Sequence, residues 1–308
     1  MTTTRGAAAS LPADPGPAAF DALHDDPERW RDAVAAIAAR HSPAEVRQVA
    51  EGTALVAFVG PDRVLKVYPP FLRDHFAYEQ AMLERLHGRL SLPTPRLLAS
   101  GDENGWPWLL MTRLDGTPLD RVWPSLDEPG RRRVLQTIGS LAAEVHALPV
   151  GETAALAPRW SDFIAGQRQR CAARQRRTGL PAHLLAQLEA FIAGPLPEGP
   201  DRLLTGEYTP FNLLAEGGAL AAMFDFGDGL VGPAAYDWLG PLCFLAAGDA
   251  ARVDALFDGY GAAFDRRRRD ELLRLLLLHR YSHLSAQLAL PGWQQAPDFP
   301  TLAARLWP

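Results

Sequence analysis

Glu207, Asn212 and Asp225 are two carboxylates and a carboxamide inside one stretch, Leu203 to Asp237, which reads LLTGEYTPFNLLAEGGALAAMFDFGDGLVGPAAYD. Phosphoryl transfer uses such a set. One carboxylate orients the acceptor hydroxyl, while a carboxamide and a second carboxylate hold Mg²⁺ against the nucleotide phosphates. Two apolar runs, Leu213-Leu214 and Ala219 to Phe224, flank the turn Glu216-Gly217-Gly218, a pattern that predicts a hairpin. A hairpin brings the ends of its strands together, so the three residues can converge although 18 positions separate Glu207 from Asp225. Any one of them alone reads better as a solvated acid or amide near a turn. The spaced set, with Asp225 in an apolar context before Phe226-Gly227, points to chemistry.

The elements that must position this stretch follow from periodicity. A helix is expected over Asp26 to Arg40, with Trp30, Val34 and Ile37 on one stripe and Ser42-Pro43 ending it. Val46 to Val59 reads as two strands around Glu51-Gly52-Thr53-Ala54. That turn is either a plain hairpin or a phosphate-covering loop in which Gly52 lets the backbone approach and Thr53 offers a hydroxyl. A third strand, Arg63 to Tyr68, carries Lys66 among apolar neighbours, as an edge gatekeeper or as a phosphate contact. A helix over Leu72 to His87 follows, bearing Glu79 and Glu84 as candidate partners for Lys66. Two more strands, Pro93 to Gly101 and Trp106 to Arg113, turn at Asp102-Glu103-Asn104-Gly105. Beyond them the composition turns helical: Arg131 to Leu148, Trp160 to Arg177, Ala182 to Ile192, Ala235 to Ala247, Ala251 to Phe264 and Asp270 to Leu288. The basic run QRQRCAARQRR and the run Arg266 to Arg269 read as solvated faces.

The 308 residues, 47% hydrophobic and 22% charged, fit two globular domains with sizeable cores. A net charge of −5 argues against a general nucleic-acid binder and suits a cationic ligand. Two cysteines, Cys171 and Cys243, give neither a disulfide framework nor metal-finger spacing and read as buried bystanders in a reducing compartment. No run has the apolar length of a membrane span, and the first residues lack the core of a signal peptide, so a cytoplasmic location is expected. Residues 1–19, rich in Ala, Pro, Gly and Thr, are expected to form a disordered tail.

The central stretch resembles the catalytic and metal loops of the aminoglycoside phosphotransferase and choline kinase-like family, whose pattern is His-Gly-Asp, four residues, Asn, then a hairpin to Ile-Asp-Phe/Trp-Gly/Ser-Asp. Thr205 stands at the position of the His and Glu207 at that of the catalytic Asp, Asn212 and Asp225 match, and Ala235-Tyr236-Asp237 resembles the family's Asp-Pro-x-Tyr-Asp region. The resemblance implies an α+β, bilobal, protein-kinase-like fold. Residues 20–112 would form a small β-rich nucleotide-binding lobe, and residues 113–308 a larger helical lobe holding both loops and the acceptor site.

It also implies roles. Lys66 becomes the phosphate lysine paired with Glu79, because FAYEQAMLERL is similar to the family's helix with its acid near the start. The segment Met111 to Gly116 resembles the hinge, where the backbone of Arg113 and Leu114 would hold adenine. Asn212 and Asp225 would bind Mg²⁺, Glu207 would act on the acceptor hydroxyl, and Asp228 would face the acceptor. The cofactors implied are ATP or GTP with Mg²⁺, and the partner a small hydroxyl compound of the polycationic aminoglycoside class. The Trp-bearing first helix, PRLLASGDENGWPWLLMTRLDGTPL, the Leu141 to Pro149 segment with His146, and the terminal LAARLWP are similar to the hygromycin-B kinases of that family. Kinases for another alcohol (a sugar, homoserine or choline), and a nucleotide-binding protein without transferase activity, are the alternatives. The substitutions at Thr205 and Glu207 keep the last of these open.

Overall fold

The computed structural model describes residues 11–41, 44–49, 52–206 and 208–308. Glu207, Glu51 and the Ser42-Pro43 helix stop lie outside the described residues. The chain divides into two compact units, Met1–Arg89 with Pro93–Asp115, and Leu90–Leu92 with Gly116–Pro308.

The first unit opens with helices α1 (Pro17–His24) and α2 (Arg31–Ala39), followed by strands β1 (Val46–Val49), β2 (Leu55–Val59) and β3 (Arg63–Val67). Helix α3 (Arg73–Leu86) comes next, then β4 (Leu97–Glu103) and β5 (Trp106–Thr112). The strands form one antiparallel sheet in the order β1-β2-β3-β5-β4. The β4–β5 connection places Asn104 and Gly105 at φ 54° and 91°, the two positive values that a type I′ hairpin turn requires.

Residues 11–19 are not the expected tail. Leu11 and Phe20 are buried in one core with Trp30, Val34 and Ile37 of the first helices and Leu55, Leu65, Trp106 and Trp108 of the sheet. Trp106 Nε1 donates to the Pro12 carbonyl at 2.7 Å. The Pro-rich composition suggested disorder, but Leu11 joins the core that the sheet covers. Burying that leucine is worth roughly 1.5–3 kcal/mol, which offsets part of the cost of ordering the segment, about 1–2 kcal/mol per residue.

The second unit begins with β6 (Thr117–Pro118), α4 (Leu119–Val122) and the long helix α5 (Glu128–Ala147). It continues with α6 (Trp160–Arg177), α7 (Ala182–Leu185) and α8 (Leu188–Ile192), then β7 (Arg202–Leu204), β8 (Leu213–Glu216), β9 (Ala219–Met223) and β10 (Leu230–Gly232). Helices α9 (Ala235–Phe244), α10 (Ala250–Tyr260), α11 (Arg269–Leu278), α12 (Leu284–Gln287) and α13 (Phe299–Leu306) complete it. Helix α5 starts three residues before the expected Arg131, because Asp127 accepts from the Gly130 amide at 2.8 Å as an N-cap and Pro129 occupies the first turn.

Helices α5 and α10 pack backbone to backbone. A Cβ built on Gly139 would sit 2.0 Å from the Leu256 carbonyl oxygen, and one on Gly259 would sit 1.9 Å from that of Gln136. Alanine at position 139 would gain about 1 kcal/mol of helix propensity but lose roughly 1–3 kcal/mol to overpacking against rigid backbone. Gly139→Ala is therefore expected to lower the thermal unfolding midpoint; an unchanged or higher midpoint would show that the helices separate at no cost.

The stretch expected as one helix over Asp270 to Leu288 is broken between α11 and α12. The cause lies in α6, whose apparently solvated basic face turns two side chains inward. Arg174 Nη2 and Gln175 Nε2 donate to the Leu277 carbonyl at 3.1 and 3.2 Å, and Arg174 Nη1 donates to that of Arg280 at 3.4 Å. With the Leu277 carbonyl taken by two side chains, α11 ends, and His279, Arg280 and Tyr281 lie in a loop.

Candidate active site

In the first unit Lys66 lies on β3, flanked on both sides: Val56 of β2 and Leu109 of β5 are its register partners. A central strand has no free edge, so the gatekeeper reading of Lys66 is excluded by topology. Its Nζ lies 2.7 Å from Oε2 of Glu79, a fully buried carboxylate on α3 that also accepts from the Tyr68 hydroxyl. Glu84 is exposed, one turn and a half further on. A buried carboxylate with a charged and a neutral donor holds the ammonium in a fixed place. Gly52, at φ 109°, and the exposed Thr53 lie in the turn between β1 and β2. Arg113 leaves β5 with its amide donating to the Asp62 carbonyl at 2.7 Å and its guanidinium 4.3 Å from the Phe58 ring centre. Leu114 follows, half-buried.

In the second unit β8 and β9 form the expected hairpin, with Leu213 opposite Met223. The Phe224 amide donates to the Asn212 carbonyl at 3.1 Å, extending the ladder by one rung and setting Asn212 next to the residue that precedes Asp225. Asp225 has φ 68°, in the left-handed region that costs an L-residue free energy and that Asp tolerates better than most. Such strain concentrates at functional sites. A carboxylate and a carboxamide at one hairpin end are hard oxygen donors in the small number that Mg²⁺ takes from protein when phosphates and water complete its shell, so the donor set fits that ion.

The segment before Glu207 is held from below. Asp237, buried on α9, accepts from the Gly206 amide at 2.7 Å through Oδ1 and from the Thr205 amide at 3.0 Å through Oδ2. Gly206 is at φ 78°, and a Cβ there would lie 2.4 Å from the Asp228 carbonyl oxygen, so this position accepts glycine only. Tyr208, on the other side of Glu207, is buried.

Sequence reasoning did not single out His279, Arg280 or Tyr281, because it ran a helix through them. The ring of His279 stacks on Tyr236 at 4.6 Å, and Arg280 and Tyr281 reach Asp228 Oδ1 at 3.1 and 2.7 Å. The available signal was the interruption of Leu275 to Leu278 by His279-Arg280. Asp228 therefore does not offer an open negative charge to an acceptor, as expected; a guanidinium neutralises it. Three other acids of the second unit are also engaged. Asp249 and Asp298 cap α10 and α13, and Glu271 Oε2 accepts from Arg268 at 2.7 Å.

Burial, reinforced by the adjacent Arg280 charge, holds the His279 imidazole down at about 3 from an ordinary 6.5. The folded protein thus binds this proton less readily than the unfolded chain, so the contribution of His279 is complete above pH 6.5 and is lost as pH falls towards 3. Stability is expected to drop by up to about 1.4 kcal/mol per pH unit in that window from this group. Denaturant titrations of the parent and His279→Gln between pH 7 and 4 check it; equal slopes would remove His279 as the cause. Cys171 and Cys243 are both buried, and burial pushes the Cys171 thiol up to about 11, consistent with inert packing. Among the described residues no helix is long and apolar enough to cross a membrane.

A family model described as the phosphotransferase enzyme family matches residues 45–272. No curated protein matches by sequence. Among solved structures, the GDP and kanamycin complex of APH(2")-IIia is 17% identical, with 82% of this chain and 89% of that one covered and a TM-score of 0.66. The aminoglycoside phosphotransferase APH(3'')-Id from Streptomyces rimosus, solved with ADP and streptomycin, is 18% identical over 81% of this chain and 98% of its own, TM-score 0.59. Macrolide 2'-phosphotransferase MphH from Brachybacterium faecium is 21% identical over 83% and 95%, TM-score 0.59. At these identities the likeness is one of fold, and it agrees with the α+β architecture of an antiparallel sheet unit and a helical unit.

Proposed function

The chain belongs to the phosphotransferase enzyme family, and from that premise we propose that it transfers the γ-phosphoryl group of ATP or GTP to a hydroxyl of a small molecule of aminoglycoside type. The observation that carries this reading is the hairpin end where Asn212 neighbours a left-handed Asp225. In this reading Asp225 and Asn212 hold Mg²⁺, which when bound neutralises charge on the nucleotide phosphates. Lys66, fixed by Glu79, binds phosphate oxygens, and Gly52 and Thr53 cover them. Because the Arg113 amide is already donated to Asp62, adenine or guanine is left to the Arg113 carbonyl and the Leu114 backbone. Glu207 orients and accepts the proton of the acceptor hydroxyl.

One observation favours a second acceptor class. Arg280 neutralises Asp228, and Asp249, Glu271 and Asp298 are occupied as caps and an ion pair. A polycation is recognised by unpaired acids, whereas a larger, less charged alcohol such as a macrolide needs fewer. The neighbours solved with kanamycin and streptomycin support the first class, and the macrolide enzyme supports the second. The test has two steps. Melting curves with and without Mg-ATP and Mg-GTP report nucleotide binding, and phosphate transfer is then screened over hygromycin B, other aminoglycosides, macrolides and neutral alcohols. Turnover of an aminoglycoside supports the main reading, turnover of macrolides alone the second. Nucleotide binding with no transfer to any alcohol would leave a binding protein.

A further inference from the structure

The second unit contains a pocket of about 280 Å³ where the start of α9, the end of α10, the loop before β7 and the turn into α11 meet. It shares no lining residue with the set Lys66, Asn212 and Asp225. Aromatic rings make one wall. Trp238 of α9 meets Phe257 and Tyr260 of α10 edge-on, with ring centres 5.0 and 5.2 Å apart, and Phe257 meets Phe264 at 4.9 Å. Trp238 also brings an indole N–H whose nitrogen is buried and has no acceptor among the described residues. Native interiors rarely leave such a donor unpaired. Four charged residues line the pocket, and two of them are engaged outside it. Asp265 accepts from Arg267 Nε at 3.0 Å, and Arg268 Nε donates to Glu271 Oε2 at 2.7 Å. Glu198 is exposed on the loop before β7, where water and salt screen it. Arg202, half-buried on β7, is different. Its Nη1 donates to the His146 carbonyl at 3.2 Å, a neutral acceptor, and among the described residues no carboxylate pairs with it.

We propose that this pocket is a second ligand site for a small aromatic carboxylate, whose ring lies against the aromatic wall and whose carboxylate is held by Arg202. A dry apolar cavity of about 150 Å³ accommodates benzene, so this volume has room for an acid of one or two rings and little more. Aromatic walls favour a flat ring through offset and edge contacts. A guanidinium carries several N–H donors in a planar fork, most of them still available on Arg202, and it matches a carboxylate with parallel hydrogen bonds. Its half-buried charge is screened less than a surface one, so it attracts an anion more strongly than Glu198 repels it. An ammonium ligand would meet Arg202 as a like charge. A neutral ring would cover the guanidinium and leave it without a counter-charge, which costs free energy. The acid class is selected by that difference.

This inference does not rest on the phosphotransferase reading. The full chain, ¹⁵N-labelled, is titrated with indole-3-acetate, phenylacetate and 3-phenylpropionate while the indole N–H signals are followed. The Trp238 signal is assigned by its absence from Trp238→Phe. At least one acid is expected to shift that signal saturably. Its own amide (indole-3-acetamide, phenylacetamide or 3-phenylpropionamide) is alike in shape and uncharged. That amide is expected to bind about 10-fold or more weakly, the scale of one charge-assisted hydrogen bond. Arg202→Gln keeps an N–H for the His146 carbonyl and is expected to lose the acid to the same degree. Mg-ATP at saturation should leave the titration unchanged. Equal binding of acid and amide, or an Arg202→Gln protein that binds the acid as the parent does, would overturn the proposal. Displacement of the acid by Mg-ATP, or no saturable shift of the Trp238 signal with any of the acids, would do the same. If Arg202→Gln does not fold, the comparison of acid with amide on the parent decides the matter alone.

Discussion

Asp225→Asn is expected to abolish the stabilisation that Mg-nucleotide gives the parent and to cut turnover by roughly 10³-fold or more, while the unliganded melting midpoint stays where it was. The two halves of that result have separate physical origins. Asparagine tolerates the left-handed conformation at φ 68° about as well as aspartate, so the fold loses little. It lacks the formal charge that draws Mg²⁺, and loss of one charge-stabilising group costs about 10²–10³ even without a metal. A ligand at a hundred times its dissociation constant stabilises the folded state by about 2.7 kcal/mol, enough to read as a clear shift in the parent. Alanine would be a poorer probe, since its Cβ in the left-handed region adds roughly 1–2 kcal/mol of strain and confuses fold with binding. An Asp225→Asn protein that shifts with Mg-ATP or Mg-GTP as the parent does would remove Asp225 from the metal.

Glu207→Gln is expected to lose about 10²–10⁴-fold in turnover, the range that a general base supplies, with nucleotide binding retained. Glutamine keeps the length and one accepting oxygen of glutamate but gives up the charge and the proton acceptor, with a donor NH₂ in place of the second oxygen. Glu207→Asp tests a different property. It shortens the side chain by one carbon–carbon bond, about 1.5 Å, and an error near 1 Å can cost about 10²-fold. A loop fitted to glutamate should therefore lose rate with aspartate, although aspartate stands at this position in the resembling family. Steady-state kinetics of the three proteins on one acceptor give the comparison. Equal turnover for the parent and Gln would mean that phosphoryl transfer here runs on positioning and charge alone.

The sequence alone determined the elements whose signals are local. The β8–β9 hairpin was legible because Gly217-Gly218 sits between two apolar runs, and α3 because Phe76, Leu83 and Leu86 recur at helical spacing. The placement of Asn212 and Asp225 at one hairpin end followed from that turn. What the sequence could not determine depends on partners distant in the chain. Whether Lys66 lies on an edge or between two strands is fixed by β5 pairing to β3, some forty residues later, and only that pairing converts an ambiguous lysine into a central one bonded to buried Glu79. Leu11 looks like part of a disordered tail until the sheet face that covers it is assembled. The end of α11 escaped local reasoning for the same cause, since the groups that take its Leu277 carbonyl, Arg174 and Gln175, are about a hundred residues away on α6. That break carries the chemistry that local reasoning missed. It puts Arg280 on Asp228, cancelling a charge that appeared open, and His279 against Tyr236. Periodicity records which face of an element is buried; it holds no information on which element buries it, and at this site the covering elements set the charge.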